Sequence, residues 1–224
     1  MKLGLQRNAA RTPKGRLRIS VKERRSRRRS QRQSHAARNA LIVMVVLVAA
    51  IATILYVAGR PNGDRSVTLV AGDKAPEFTL TSVNGTSFDL NNYLGKSDVL
   101  LFFNEGLSCS PCLQQMVDID RNYSTFGGMG VTVVSITTNA MSDMRTWAHN
   151  NGIARMLVLP DQSLEVDQEY STLYAGSMHA GSAPGHTFIL VGKDGNVLWR
   201  KDYGSYTMYA PMNELIASVK SALG

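Results

Sequence analysis

The sequence predicts an α/β sandwich preceded by one transmembrane helix. Three observations carry this reading. Residues 40–58 contain no charged side chain. Residues 73–224 alternate apolar or β-branched runs with helical stretches. The chain's two cysteines, Cys109 and Cys112, stand where a buried strand gives way to a helix.

The 224-residue chain has a formal charge of +8, an average that hides two parts of opposite sign. Residues 1–39 hold 14 Lys and Arg against the single acid Glu23, and the remainder is net acidic. A protein basic throughout would suggest nucleic acid. A basic arm beside an apolar run points instead to membrane topology, and no nucleic-acid partner is expected. In residues 1–39 Arg, Ser and Gln dominate and apolar residues are too scattered for a core, so the segment reads as a disordered arm. Its run Arg27-Arg28-Arg29 suits an anionic inner leaflet.

Residues 40–58 number nineteen and are bracketed by Arg38 and Arg60. At ~1.5 Å per residue, such a helix nearly spans the ~30 Å hydrocarbon core. A core helix of this length would show a polar stripe, and none is present. A cleaved signal peptide is the rival reading, with Val57-Ala58-Gly59 as its cleavage site. Its apolar region, however, should be only about 7–15 residues long. The charge asymmetry predicts a cell-membrane protein with one pass, the arm cytoplasmic and everything after Gly59 extracytoplasmic. Residues 59–72 begin with turn formers and read as a linker.

Residues 73–224 have the length of one domain. Asp98–Asn104 is a continuous apolar run, expected of a strand buried on both faces. A helix should follow over 110–123. Val131–Thr137 is β-branched and predicts a second central strand. Met141–Asn150 reads as a helix stopped by Asn151-Gly152. Residues 155–159 suggest a short strand and 163–174 a further helical stretch. Strands at 187–191 and 196–201 flank the turn Lys193-Asp194-Gly195. Pro211 opens a last helix to about Ala222, at a position where proline is tolerated.

The address of Cys109-Ser110-Pro111-Cys112 decides its chemistry. A helix start presents unpaired N–H groups and partial positive charge, both of which favour a thiolate at Cys109. Cys112, one turn further in, should be less exposed and suited to resolving a mixed disulfide. Pro111 stiffens the first turn at no hydrogen-bond cost. The expected cycle is thiol–disulfide exchange, with Cys109 attacking and Cys112 releasing the product. No cofactor is required, since the sulfurs carry the electrons. Two alternatives stand beside this one. A zinc site needs about four ligands, and His149, His179 and His186 are available, although no second pair has zinc-finger spacing. An inert structural disulfide is the other, but so small a ring removes little chain entropy.

Residues 71–222 also resemble the redoxin group, which joins extracytoplasmic thioredoxin-like proteins with the alkyl hydroperoxide reductase/thiol-specific antioxidant (peroxiredoxin) family. The resemblance rests on Gly72-Asp73-Lys74-Ala75-Pro76-Glu77-Phe78-Thr79-Leu80, then Asn84-Gly85, Phe88-Asp89-Leu90, Gly95-Lys96 and Val99-Leu100-Leu101-Phe102-Phe103. Cys109-Ser110-Pro111-Cys112 falls at the active-site position, and Thr187-Phe188-Ile189-Leu190-Val191 with Asp194-Gly195 resembles the closing hairpin. The resemblance implies a thioredoxin-like three-layer sandwich around a central mixed sheet. It implies a partner-binding loop at Pro184 and Thr187, in which a cis-proline usually stands two residues before the threonine. Here Pro184 stands three before Thr187. Membrane-anchored relatives usually carry Trp where this chain has Ser108. Typical peroxiredoxins carry Thr or Ser where it has Gly106, and use a distant Arg for which Arg155 and Arg200 are candidates.

Two further residues are candidate auxiliaries. Glu105, four before Cys109, reads either as a solvated loop acid or as a proton shuttle. His186 either stabilises a thiolate or is an ordinary hydrogen-bonded histidine. Tyr203, Tyr206 and Tyr209 line a groove or simply pack, and Met141, Met144 and Met156 read as packing. The expected function is a membrane-anchored thiol–disulfide oxidoreductase. It would take protein disulfides or dithiols outside the cytoplasm and draw on a membrane or extracytoplasmic electron donor. A thiol peroxidase is the second reading, and a non-catalytic docking module the third.

Overall fold

A computed structural model describes Asn39 and residues 42–51, 68–174, 176–204 and 207–224. The chain divides between Gly63 and Asp64. In the first part, residues 42–51 are helical with exposed side chains, Ile42 and Leu47 among them. The remainder of the expected 40–58 span, and the 1–38 arm, lie outside the described residues. Among the described residues no helix is long and apolar enough to cross a membrane.

The second part is built on a five-stranded sheet of order β5-β4-β3-β6-β7. Its strands are β3 (Asp98–Asn104), β4 (Val131–Thr137), β5 (Leu157–Pro160), β6 (His186–Val191) and β7 (Val197–Tyr203). A separate antiparallel pair, β1 (Thr79–Thr81) and β2 (Ser87–Asp89), precedes them. β3, β4 and β5 run parallel while β6 and β7 are antiparallel, so the sheet is mixed, as expected. β3 is central and buried at every position, which explains its unbroken apolar run.

Alternation along the strands feeds two cores. Leu100, Phe102, Val133, Phe188 and Leu190 point to one face, covered by α1 (Ser110–Arg121), α2 (Tyr123–Gly128), α3 (Met141–Asn150) and α5 (Met212–Leu223). Val99, Leu101, Phe103, Ile136 and Ile189 point to the other, under Phe78, Phe88, Leu90 and Tyr170. Each such fully buried side chain contributes about 1.5–3 kcal/mol. The expected linker ends early: the Gly72 N–H donates to the Val197 carbonyl at 2.9 Å, and Leu69 packs on the second core.

β3, β4 and α3 have the expected bounds; other elements differ for identifiable reasons. The helix expected over 110–123 ends at Arg121, and a second begins at Tyr123 after Asn122. The strand expected from 155 begins at Leu157, because the amides of Ala154, Arg155 and Met156 are taken by Asp120 Oδ1 at 2.8–3.2 Å. The stretch expected over 163–174 yields only α4 (Glu165–Glu169). Ser171 turns to φ 53° and Arg200 takes the Tyr170 and Ser171 carbonyls at 2.7 and 3.0 Å, which ends the helix.

Candidate active site

β3 delivers the chain to the site through a tightly held turn. Asn104 closes the strand: its amide donates to Ser135 Oγ at 2.8 Å and its Oδ1 accepts the Gly106 N–H at 3.0 Å. Residues Gly106–Ser108 form a 3-10 turn whose Leu107 N–H donates to Asn139 Oδ1 at 2.8 Å. Gly106 has φ 60°, and a Cβ there would overlap the Asn139 amide oxygen. This position therefore requires glycine on both conformational and steric grounds.

Cys109 is the N-cap of α1, and its Sγ accepts the Cys112 N–H at 3.2 Å. The two cysteines are joined in a disulfide with their Cα atoms 5.2 Å apart. Pro111 lies in the first turn, where no N–H is needed. The helix start thus aims a donor at the expected attacking sulfur. The expected difference in exposure is not present: Cys109 is 1% exposed and Cys112 0%. Both are covered by Met208, which forms a small cluster with them. Met208 belongs to a strap between β7 and α5 that is pinned to α1. Gln115 Oε1 accepts the Ala210 N–H at 2.7 Å, and the Tyr209 hydroxyl donates to Asp118 Oδ2 at 2.8 Å.

His186 begins β6 and reaches one of these sulfurs, with Nδ1 3.5 Å from Cys112 Sγ. Its ring packs on Phe102 with centroids 4.6 Å apart. Burial lowers its pKa to about 3, so the imidazole is neutral. Its neighbour Thr187 faces the other way, donating to Asp202 Oδ1 at 2.8 Å on the far side of the sheet. Pro184 is buried in the preceding loop, and no cis peptide bond occurs among the described residues. Next to the implied partner-binding pair it is thus His186, the first residue of β6, that reaches Cys112, while the Thr187 side chain points away.

Glu105 is not a solvated loop acid. It is 1% exposed, and its carboxylate accepts from Ser177 Oγ at 3.1 Å and the Met178 N–H at 2.9 Å, with His179 Nδ1 at 3.0 Å. It ties the loop after α4 to the end of β3. The two candidate peroxide-binding arginines are engaged away from the sulfurs. Arg155 donates to the Asp120 carbonyl at the far end of α1. Arg200 binds Asp202, Tyr170 and Ser171 on the opposite face of the sheet. His149 contacts Asn150 and His179 contacts Glu105, so neither is gathered at the cysteines. Tyr203 packs edge-on against His186, Tyr209 holds the strap, and Tyr206 lies outside the described residues. Met144 and Met156 are core residues, with Met141 packed against them.

Gln115, Met208, Asn104 and Asn139 went unmarked in the sequence. A polar residue closing an otherwise apolar strand is a usable signal for Asn104. Met208 and Gln115 have none, because their roles arise from distant contacts, Gln115 with Ala210 and Met208 with the two cysteines.

The AhpC/TSA family profile matches residues 71–200. The chain belongs to the AhpC/TSA family. It is similar to a putative peroxiredoxin of Mycobacterium tuberculosis, 28% identical over 60% of this chain and 85% of that one. It is also similar to the thiol-disulfide oxidoreductase ResA of Bacillus cereus, 25% identical over 70% of this chain and 83% of that one. Among solved structures, the peroxidoxin BcpB of M. tuberculosis superposes with a TM-score of 0.57 at 17% identity, covering 68% of this chain and 97% of that one. The mitochondrial 2-Cys peroxiredoxin of Plasmodium falciparum gives 0.60 at 16%, covering 68% and 93%. At these identities the structures establish the shared thioredoxin-like fold. An AhpC/TSA chain with a disulfide at the start of α1 is a thiol-based redox enzyme.

Proposed function

We propose that this AhpC/TSA member is a membrane-anchored thiol–disulfide oxidoreductase acting on proteins outside the cytoplasm. The observation that carries the exchange chemistry is the Cys109–Cys112 disulfide at the α1 start, with the Cys112 N–H on Cys109 Sγ. In the reduced protein that donor and the helix terminus stabilise a Cys109 thiolate, which attacks a partner's disulfide. Cys112 then attacks Cys109, and the partner leaves reduced. Glycine at 106 and the remote engagements of Arg155 and Arg200 favour exchange over peroxide reduction. Anchoring is supported by the uncharged run 40–58, the exposed apolar helix within it, and the basic arm ahead of it. The partners are protein dithiols or disulfides, with reducing equivalents from a donor at or beyond the membrane.

A thiol peroxidase with Cys109 as the peroxide-reactive residue is the second reading, favoured by the likeness to the mycobacterial putative peroxiredoxin. The reduced protein is to be offered insulin and, separately, hydrogen peroxide. Insulin reduction with only slow peroxide consumption is expected. Rapid peroxide turnover without disulfide exchange would overturn the proposal.

A further inference from the structure

Three segments meet around the disulfide. Residues 106–117 make the turn and the start of α1, residues 170–192 run from the end of α4 through β6, and residues 203–213 lead from β7 to α5. None of the three contains Asp, Glu, Lys or Arg. Charge resumes at the borders of each: Glu105 and Asp118, Glu169 and Lys193, Asp202 and Glu214. Contacts hold the segments together at one end of the sheet. The Met178 N–H donates to Glu105 Oε1 at 2.9 Å, a Cβ at Gly176 would overlap the Tyr203 carbonyl, and Met208 packs on both cysteines. Glu105, the acid next to the turn, is itself buried under this loop.

The same end carries exposed apolar surface. Among the described residues of the second part, the exposed large apolar side chains are Val70, Leu107, Tyr174 and Met178. Val70 precedes the Gly72 contact with Val197, at the opposite end of β7. Leu107 stands two residues before Cys109, and Tyr174 and Met178 lie in the loop tied to Glu105, at 37, 69 and 52% exposure. Single apolar residues on a surface are ordinary, but three beside a disulfide, on segments free of fixed charge, mark an interaction face. We propose that Leu107, Tyr174 and Met178 form a docking rim for an uncharged, apolar polypeptide segment flanking the partner's cysteines. The proposal deepens the exchange reading and rests on it. A rim without fixed charge offers no handle to an acidic or basic partner, so burial of apolar side chains is the attraction it supplies. The sulfurs are almost wholly buried, so a partner is held at the rim before its own sulfur meets Cys109. Apolar stretches of this kind are accessible in chains that have not finished folding, and such chains are the substrate class the rim fits.

Reduced full-length protein in phosphatidylcholine nanodiscs is to be offered two short peptides, each closed by one disulfide. One has leucine and phenylalanine beside its cysteines, the other serine and glycine. Hydroxyethyl disulfide, which has no flanking chain, is the control. The wild type should reduce the apolar peptide about tenfold faster at limiting concentration, equally at about 0.05 and 0.5 M salt. Tyr174→Ser combined with Met178→Ser should lose most of that preference through KM, with kcat and the hydroxyethyl disulfide rate within about twofold of wild type. Both side chains are exposed, so the fold should be little affected. Met178→Lys should shift the preference toward a peptide with aspartate beside its cysteines, an advantage that salt removes. A double variant that keeps the wild-type preference overturns the proposal, and so does a wild-type preference that salt abolishes. Equal slowing with peptide and hydroxyethyl disulfide also overturns it, since that marks a damaged turn. Met178→Trp fluorescence quenched by brominated lipid would make the rim a bilayer contact and overturn it as well. A wild type that reduces both peptides equally overturns the docking rim alone. One that reduces neither peptide nor hydroxyethyl disulfide overturns the exchange reading itself.

Discussion

Adjacent residues on β6 serve two unlike halves of this domain. His186 points into the face that carries the disulfide, and Thr187 into the face that carries Asp202 and Arg200. Around the sulfurs the described partners are the Met208 side chain and the neutral His186 imidazole, itself backed by Phe102. On the opposite face charge is plentiful and pinned. Arg200, 5% exposed at its side chain, holds Asp202 and two carbonyls, and Asp167 of α4 and Asp161 just before it are both buried. The difference separates tasks. On the exchange reading proposed above, sulfurs among neutral and apolar groups take their tuning from the helix start rather than from neighbouring charges. The other face fixes the loops that shape the site.

This contrast can be broken from either side. Cys109→Ser should have the largest effect, lowering insulin reduction by about a thousandfold or more while leaving thermal stability nearly unchanged in reducing buffer. Arg200→Met attacks the opposite face. Removal of charge-assisted bonds to the Tyr170 and Ser171 carbonyls should cost about 2–3 kcal/mol in urea unfolding, with the chemical rate per folded molecule little altered. Asp167→Asn should gain stability. Burial, opposed by the Thr172 hydroxyl and reinforced by the Asp161 charge, raises the Asp167 pKa to about 8. The folded protein thus keeps a proton that the unfolded chain loses above about pH 4, so stability falls as pH rises from about 4 to about 8 and levels off beyond. The asparagine variant should flatten that fall and gain on the order of 2 kcal/mol at pH 8, read from denaturation midpoints at several pH values. Met208→Ala should have the smallest effect. Uncovering the sulfurs should speed reduction by dithiothreitol several-fold, and an unchanged rate would show that Met208 does not limit access.

Legibility in the sequence followed the range of the interaction. β3 and β4 were readable because burial on both faces imposes an apolar run that needs no partner to identify. The cysteine pair was readable because strand, turn and helix start are contiguous. Glu105 was not, because its burial depends on Ser177, Met178 and His179, more than seventy positions away. The short α4 was equally hidden: its end is imposed by Arg200 from β7, which overrides local helix preference. The equal burial of the two cysteines required the strap carrying Met208, whose placement is fixed by Gln115 and Tyr209.

Gly106 has a bearing on how this chain can evolve. The resemblance to typical peroxiredoxins implies Thr or Ser three residues before the reactive cysteine, and here that site is a left-handed glycine pressed against the Asn139 side chain. A threonine introduced there meets both an unfavourable backbone and an occupied space, while replacement of Asn139 alone leaves the Leu107 amide without its acceptor. Each single step therefore passes through a damaged turn beside Cys109. On the exchange reading proposed above, a step toward peroxide chemistry at this turn therefore calls for paired change at positions 106 and 139.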